Sequence, residues 1–236
     1  MFKTIKWFIY FWAYQMVVLG CFLKVKLLEW QGKEDEALNY VNQMVCRWAK
    51  GMVGATGAEV EVNGNENIPQ EPVLFVANHQ GAFDIPLLLG YINNPKAFIA
   101  KWELQYMPLV GGWMKRIKCI FIKRNDFRQT LCAFKSAGEV FAQGQSLVIF
   151  PEGTRSQSDK VGEFKRGSLK IALRENVPII PVVIRDSYKL REANGGLIKA
   201  AKVELDILEP IYTDKLSKEE RKDLTINLER MIREQV

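Results

Sequence analysis

His79 is the only histidine in the 236 residues, and Asp84 follows it across the four-residue stretch Gln80-Gly81-Ala82-Phe83. This pair of residue types suits general-base catalysis. An imidazole, with a pKa near about 6.5, can take a proton from an alcohol at neutral pH. A carboxylate on its other ring nitrogen fixes the tautomer and stabilises the imidazolium that forms. No Ser or Cys adjoins His79, so the hydroxyl to be activated is expected to belong to a substrate. The spacing alone leaves open a plainer role, a strand-end histidine satisfied by a backbone carbonyl.

A second stretch narrows the choice. Leu147 to Ser156 reads LVIFPEGTRS, a short apolar run that stops at a charged, polar loop. With this the sequence resembles the glycerolipid acyltransferases, the family typified by bacterial 1-acylglycerol-3-phosphate acyltransferases. That family's first motif, Asn-His, four residues and Asp, is matched by Asn78, His79 and Asp84. Its third, Phe-Pro-Glu-Gly-Thr-Arg-Ser, is matched without a change by Phe150 to Ser156. The second, a Gly then Phe-Ile-Asp-Arg, aligns with Lys118 to Arg124, where Phe121, Ile122 and Arg124 match while Lys118 and Lys123 stand in for the Gly and the Asp. The fourth, Val-Pro-Ile-Ile-Pro-Val, is matched by Val177 to Val182. The resemblance covers about residues 60 to 210.

The resemblance implies transfer of an acyl chain from acyl-CoA or acyl-acyl carrier protein to the sn-2 hydroxyl of lysophosphatidic acid, giving phosphatidic acid. His79 and Asp84 are then the catalytic pair. Arg124 and Arg155 are the candidates for gripping the substrate phosphate, because a guanidinium presents a bidentate fork to it. Lys101, at the end of the run Phe98-Ile99-Ala100, is a third. Glu152, Gly153 and Thr154 are expected to shape acceptor binding, and Glu152 has a structural alternative as the cap of its loop. The same chemistry on glycerol 3-phosphate, another lysophospholipid or an aminolipid is the enzymatic alternative, and a membrane-anchored lipid-binding protein the non-enzymatic one. The acyl chain calls for an apolar groove, for which Leu87, Leu88, Leu89, Met107, Leu109 and Val110 are candidates, equally suited to a core.

These residues need a frame. Val73 to Ala77 is a continuous apolar run, the pattern of a buried strand, so His79 falls at a strand's C-terminal tip. Ile85-Pro86 reads as a helix start with Asp84 as its cap. Apolar runs at Ala58 to Val62, Ala97 to Ala100, Cys119 to Ile122, Leu147 to Phe150, Ile179 to Ile184 and Val203 to Leu208 complete a set of seven strands. Helical patterns at Ile85 to Ile92, Glu103 to Arg116, Phe127 to Gln143 and Ser168 to Asn176 separate most of them, and a charged helix from Ser217 ends the chain. The alternation predicts an α/β domain with a mixed, largely parallel sheet flanked by helices. Function in such sheets collects at the strands' carboxyl ends, where His79, Lys101, Arg124 and Glu152 all fall.

Ahead of that domain, Trp7 to Leu23 is apolar except for Gln15 and rich in Trp, Tyr and Phe, which favours a helix lying in or dipping into one leaflet over a single span. Glu34 to Lys50 is amphipathic, with Leu38, Val41, Val45 and Trp48 at helical spacing. The two are expected to form a membrane-binding two-helix hairpin over residues 1–56, followed by a catalytic domain over 57–236. By resemblance the site faces the cytoplasmic side of a bacterial inner membrane, with monotopic attachment. The formal charge of +6, from 33 Lys and Arg against 27 Asp and Glu, suits an anionic partner. No nucleic-acid-binding module is present in the pattern. A single histidine and four scattered cysteines imply no metal site and no cofactor beyond the thioester donor.

Overall fold

A computed structural model describes residues 1–123 and 127–236, and of residues 127–132 the backbone alone. Seven strands form one sheet in the order β1-β7-β6-β2-β5-β3-β4: β1 (Glu59–Asn63), β2 (Leu74–Ala77), β3 (Lys96–Lys101), β4 (Ile120–Ile122), β5 (Ser146–Ile149), β6 (Ile179–Arg185) and β7 (Lys202–Ile207). Five of the six pairings are parallel and β6–β7 is antiparallel. The mixed, largely parallel sheet read from the sequence is the one observed. Its central strands are apolar throughout because both faces are covered. Phe75, Ala77, Val148, Ile180 and Val182 join a core on one side, whereas Leu74, Val76, Leu147, Ile149 and Val183 join a core on the other.

The first face is covered by α1 (Phe2–Trp30), α2 (Glu34–Gly54), α3 (Asp84–Tyr91) and α4 (Val110–Arg116). The second is covered by α5 (Phe127–Ala142), α6 (Lys170–Glu175) and α7 (Lys218–Arg233). The start of α7 is fixed by a reciprocal cap, in which Ser217 Oγ accepts from the Glu220 amide and Glu220 accepts from the Ser217 amide. Leu224, Leu228 and Ile232 then bury one stripe of the helix.

Two expectations are corrected. The pattern over Glu103 to Arg116 is one helix in the sequence but two pieces in the fold, a 3-10 turn over Trp102–Tyr106 and then α4. Pro108 lacks the amide a helix interior needs and its ring crowds the preceding turn, and Leu109 turns through φ +62° before α4 starts. The second correction concerns the N-terminal helices. They fold back on each other: the Trp7 indole donates to Met52 O at 2.9 Å, and the Lys24 ammonium lies 4.3 Å from the centre of the Tyr40 ring. Only α1, however, is long and apolar enough to cross a membrane among the described residues. The stripe of α2 does not pack on α1 alone, because Val41, Met44, Val45 and Val53 enter the same core as Leu87 and Leu88 of α3. Leu87 and Leu88 are thereby core residues with no exposure, while Met107 remains exposed.

Along α1, in contrast, Ile5, Phe8, Ile9, Trp12, Met16, Val17, Leu23 and Leu27 stay exposed. At its far end the helix is tied down by Arg116, whose guanidinium bonds Glu29 at 2.7 Å and lies 4.2 Å from the centre of the Phe22 ring.

Candidate active site

The carboxyl ends of three neighbouring strands, β6, β2 and β5, lie side by side, and each delivers one part of the site. From β2 comes the loop 78–83. Asn78 extends the strand pairing with its side chain: its Nδ2 donates to Ile184 O and its Oδ1 accepts from the Ile184 amide, both at 2.8 Å. An amide side chain is the one that can imitate a peptide group in both directions, and here it anchors the residue before the histidine to β6.

His79 Nδ1 lies 2.7 Å from Asp84 Oδ2, so the pair expected from the sequence forms. The same oxygen accepts from the Gln80 amide at 2.7 Å and the Gly81 amide at 2.9 Å, while Oδ1 accepts from the Ser187 hydroxyl. Asp84 therefore does not cap α3. It is the helix's first residue, preceded by Phe83, and its carboxylate turns back into the loop. A fully buried carboxylate needs such donors, because an unpaired charge in an apolar setting is costly. With Nδ1 engaged, Nε2 is the ring nitrogen left for a substrate proton. The imidazole stacks on Phe150 with centroids 4.0 Å apart and retains 13% side-chain exposure.

From β5 comes Glu152. Its Oε1 accepts from the His79 amide at 2.7 Å and its Oε2 from the Gly162 amide at 2.8 Å. Burial pushes its carboxyl above the ordinary range, against the pull of those two amides. Each oxygen thus accepts a backbone amide, and Glu152 ties the histidine to the loop that follows. The two loops are joined again by the Ser156 amide on His79 O at 2.8 Å and the Gln157 amide on Gln80 O at 3.1 Å. Gly153 adopts φ +69°, a left-handed conformation that favours glycine, whereas the Lys165 ammonium, 2.7 Å from where a Cβ would stand, is the end of a flexible side chain and could move aside.

Thr154 and Arg155 are exposed in this loop, two residues and one residue short of Ser156. Lys101 ends β3, exposed, with its ammonium 3.5 Å from Glu103. Arg124 lies outside the described residues. Among the described residues no group of three or more His, Cys, Asp or Glu side chains could hold a metal ion.

The residues that sequence reasoning missed come from the segment that follows β6. Ser187, besides its bond to Asp84, donates its amide to Gln80 Oε1 at 3.1 Å, and Glu192 Oε1 accepts from the Ala82 amide at 2.9 Å. Both lie more than a hundred residues from the loop they hold, and no local spacing marks them.

Comparison with known proteins agrees with this geometry. A profile of the acyltransferase family matches residues 59–185. A Mycoplasma pneumoniae protein named "Probable 1-acyl-sn-glycerol-3-phosphate acyltransferase" is 40% identical over 149 residues, 61% of this chain and 56% of that one. The 1-acyl-sn-glycerol-3-phosphate acyltransferase of Borreliella burgdorferi is 30% identical over 80% of this chain and 75% of its own. The crystal structure of the 1-acyl-sn-glycerophosphate (LPA) acyltransferase from Thermotoga maritima superposes with a TM-score of 0.85 at 31% identity, covering 99% of this chain and 95% of that one. The chain spans little more than half the length of the Mycoplasma relatives it matches.

Proposed function

The chain belongs to the acyltransferase family, and we propose that it transfers an acyl chain from a thioester to the sn-2 hydroxyl of 1-acylglycerol 3-phosphate, forming phosphatidate. The observation that carries this reading is the dyad: Asp84 Oδ2 at 2.7 Å from His79 Nδ1, at the carboxyl end of a central parallel strand. His79 Nε2 takes the proton from the lipid hydroxyl as the oxygen attacks the thioester carbonyl. The resulting tetrahedral centre collapses, the C–S bond breaks, and the imidazolium returns its proton to the departing thiol. Asp84 holds the ring in the tautomer that leaves Nε2 free and offsets the positive charge of the intermediate state.

In this reading the 78–84 loop and the loop after β5 are one unit. Glu152 and Gly153 set its shape, Thr154, Arg155 and Lys101 serve the acceptor, and Arg124, outside the described residues, is the third cation proposed for the phosphate. The reading of Arg155 is supported by its exposure and by the backbone bonds that bring its loop beside His79, and that of Lys101 by its exposed place at the end of β3, where a phosphate would compete with Glu103, 3.5 Å from the ammonium. The donor is acyl-CoA or acyl-acyl carrier protein.

Attachment to the membrane follows from α1. Its exposed apolar side, supported by α2, serves as a membrane-binding pair of helices over residues 1–56, ahead of the catalytic domain 57–236. In this reading attachment is monotopic and the site works at the cytoplasmic face of a bacterial inner membrane, where acceptor and product both reside.

The reading is tested by acceptor choice. Purified protein in detergent micelles with a long-chain acyl-CoA is offered lysophosphatidate, glycerol 3-phosphate or lysophosphatidylcholine. The expected kcat/KM for lysophosphatidate exceeds that of either alternative by about 100-fold or more, because a site built to pair with a terminal phosphate and an apolar chain is left unsatisfied by glycerol 3-phosphate, which lacks the chain, and by lysophosphatidylcholine, whose phosphate is capped by choline. Equal use of glycerol 3-phosphate would remove the lysolipid from the proposal.

A further inference from the structure

The segment leaving β6 grips the catalytic loop from the side opposite to Glu152. Asp186 turns the chain through φ +65° at the end of the strand, and Ser187 enters the interior with no exposure. Its hydroxyl donates to Asp84 Oδ1 and its amide to Gln80 Oε1. Five residues later Glu192 takes the Ala82 amide with Oε1, and its Oε2 lies where a Cβ on Gly81 would come within 2.6 Å. Gln80, Ala82 and Asp84 are thus each held by this one segment. The two oxygens of Asp84 are also unequal. Oδ2 receives three donors, whereas among the described residues Oδ1 receives the Ser187 hydroxyl alone.

A carboxylate with one oxygen unheld can rotate about its Cβ–Cγ bond, and that rotation tilts the hydrogen bond that orients the imidazole. We infer that Ser187 and Glu192 are positioning residues for acyl transfer, Ser187 by fixing the plane of the Asp84 carboxylate and Glu192 by fixing the turn between the two members of the dyad. The inference rests on the proposed reaction for its kinetic consequence but not for its geometric one. Neither side chain need touch substrate, so their loss acts on the chemical step. Misplacement of a reacting group by a fraction of an ångström to about 1 Å costs on the order of 10- to 100-fold in rate.

The experiment compares wild type with Ser187→Ala, Glu192→Ala and Glu192→Gln in the lysophosphatidate assay. In parallel, proton NMR follows the imidazole Nδ1 proton, which the single histidine of the chain makes unambiguous provided no histidine tag is used. Ser187→Ala removes one oxygen and adds nothing, and Glu192→Gln keeps an acceptor for the Ala82 amide. The expected results are kcat lowered about 10- to 100-fold in both alanine variants with KM for the lysolipid within about 2-fold, and near-wild-type kcat in Glu192→Gln. The Nδ1 resonance broadens in Ser187→Ala. The inference is overturned if the alanine variants keep kcat and the resonance, or if they change KM with kcat intact. A Ser187→Ala protein that fails to fold leaves the Glu192 pair, with the same two readouts, to decide. If wild type makes no phosphatidate, the proposed reaction fails on its own, and the Nδ1 resonance still reports whether Ser187 holds the dyad.

Discussion

Asp84→Asn is expected to lower kcat by about 10³- to 10⁴-fold while the protein keeps its fold, the magnitude seen when the carboxylate of a histidine pair is made neutral. The hydrogen bonds explain why the two effects separate. An asparagine can leave its carbonyl oxygen where Oδ2 now accepts from the Gln80 and Gly81 amides, and turn its NH₂ toward Ser187, whose hydroxyl oxygen can accept. The loop therefore stays satisfied. What is lost is the negative charge 2.7 Å from Nδ1, which in the proposed reaction the imidazolium requires once His79 has taken the lipid proton. Steady-state kinetics and a thermal melt on the same preparation check both halves. A loss of less than about 10-fold would mean that the carboxylate serves the loop and not the base.

Glu152→Gln, on most surfaces a mild change, is expected to damage both stability and rate. Each carboxylate oxygen accepts from a different backbone amide, that of His79 at 2.7 Å and that of Gly162 at 2.8 Å. A glutamine has one acceptor oxygen, so whichever way it turns, its NH₂ confronts an N–H that points at it. One buried donor is then unpaired, at a cost of about 1–3 kcal/mol, more because the bond lost was to a charged group. For a chain of this size that corresponds to a Tm lower by roughly 2–12 °C. If the Gly162 amide keeps the carbonyl, the freed amide is that of His79 itself, and kcat should fall about 100-fold through displacement of the base. Differential scanning calorimetry and kcat together check this. A glutamine variant with wild-type Tm and kcat would show that the two amide bonds carry no weight.

These effects differ in how far the sequence announced them. The dyad was legible because residue type and local spacing were both unusual, a single histidine at the end of an apolar run with a carboxylate across a short loop. The seven strands were legible for the related reason that a strand covered on both faces is continuously apolar. The role of Asp84 was read only in part. Its position before Ile85-Pro86 has the pattern of a helix cap, and nothing in that pattern tells that the carboxylate will turn back to the amides of Gln80 and Gly81. The exchange depends on the loop's three-dimensional path.

Glu152 was visible as a motif residue, yet whether it meets a ligand or a backbone is decided by the loop 152–162 closing on itself. Ser187 and Glu192 left no local signal at all. They reach the site because β6 lies beside β2 in the sheet, a neighbourhood fixed by strand order and not by spacing. The same distinction explains the N-terminal helices. Periodicity showed that α2 has an apolar stripe, but the partner of that stripe, α3 as well as α1, is a matter of packing.

The central claim is direct transfer from thioester to lipid with His79 as base and no acyl-enzyme between. The most direct measurement mixes purified protein with a radiolabelled acyl thioester, with and without lysophosphatidate, and follows thiol, labelled phosphatidate and protein-bound label together, for wild type and His79→Ala. The account predicts thiol and phosphatidate released one for one by wild type only when lysophosphatidate is present, no label on the protein, and a rate lower by about three orders or more in a folded His79→Ala variant. Phosphatidate formed at the wild-type rate by His79→Ala, or thiol released in a burst with label retained on the protein, would contradict it.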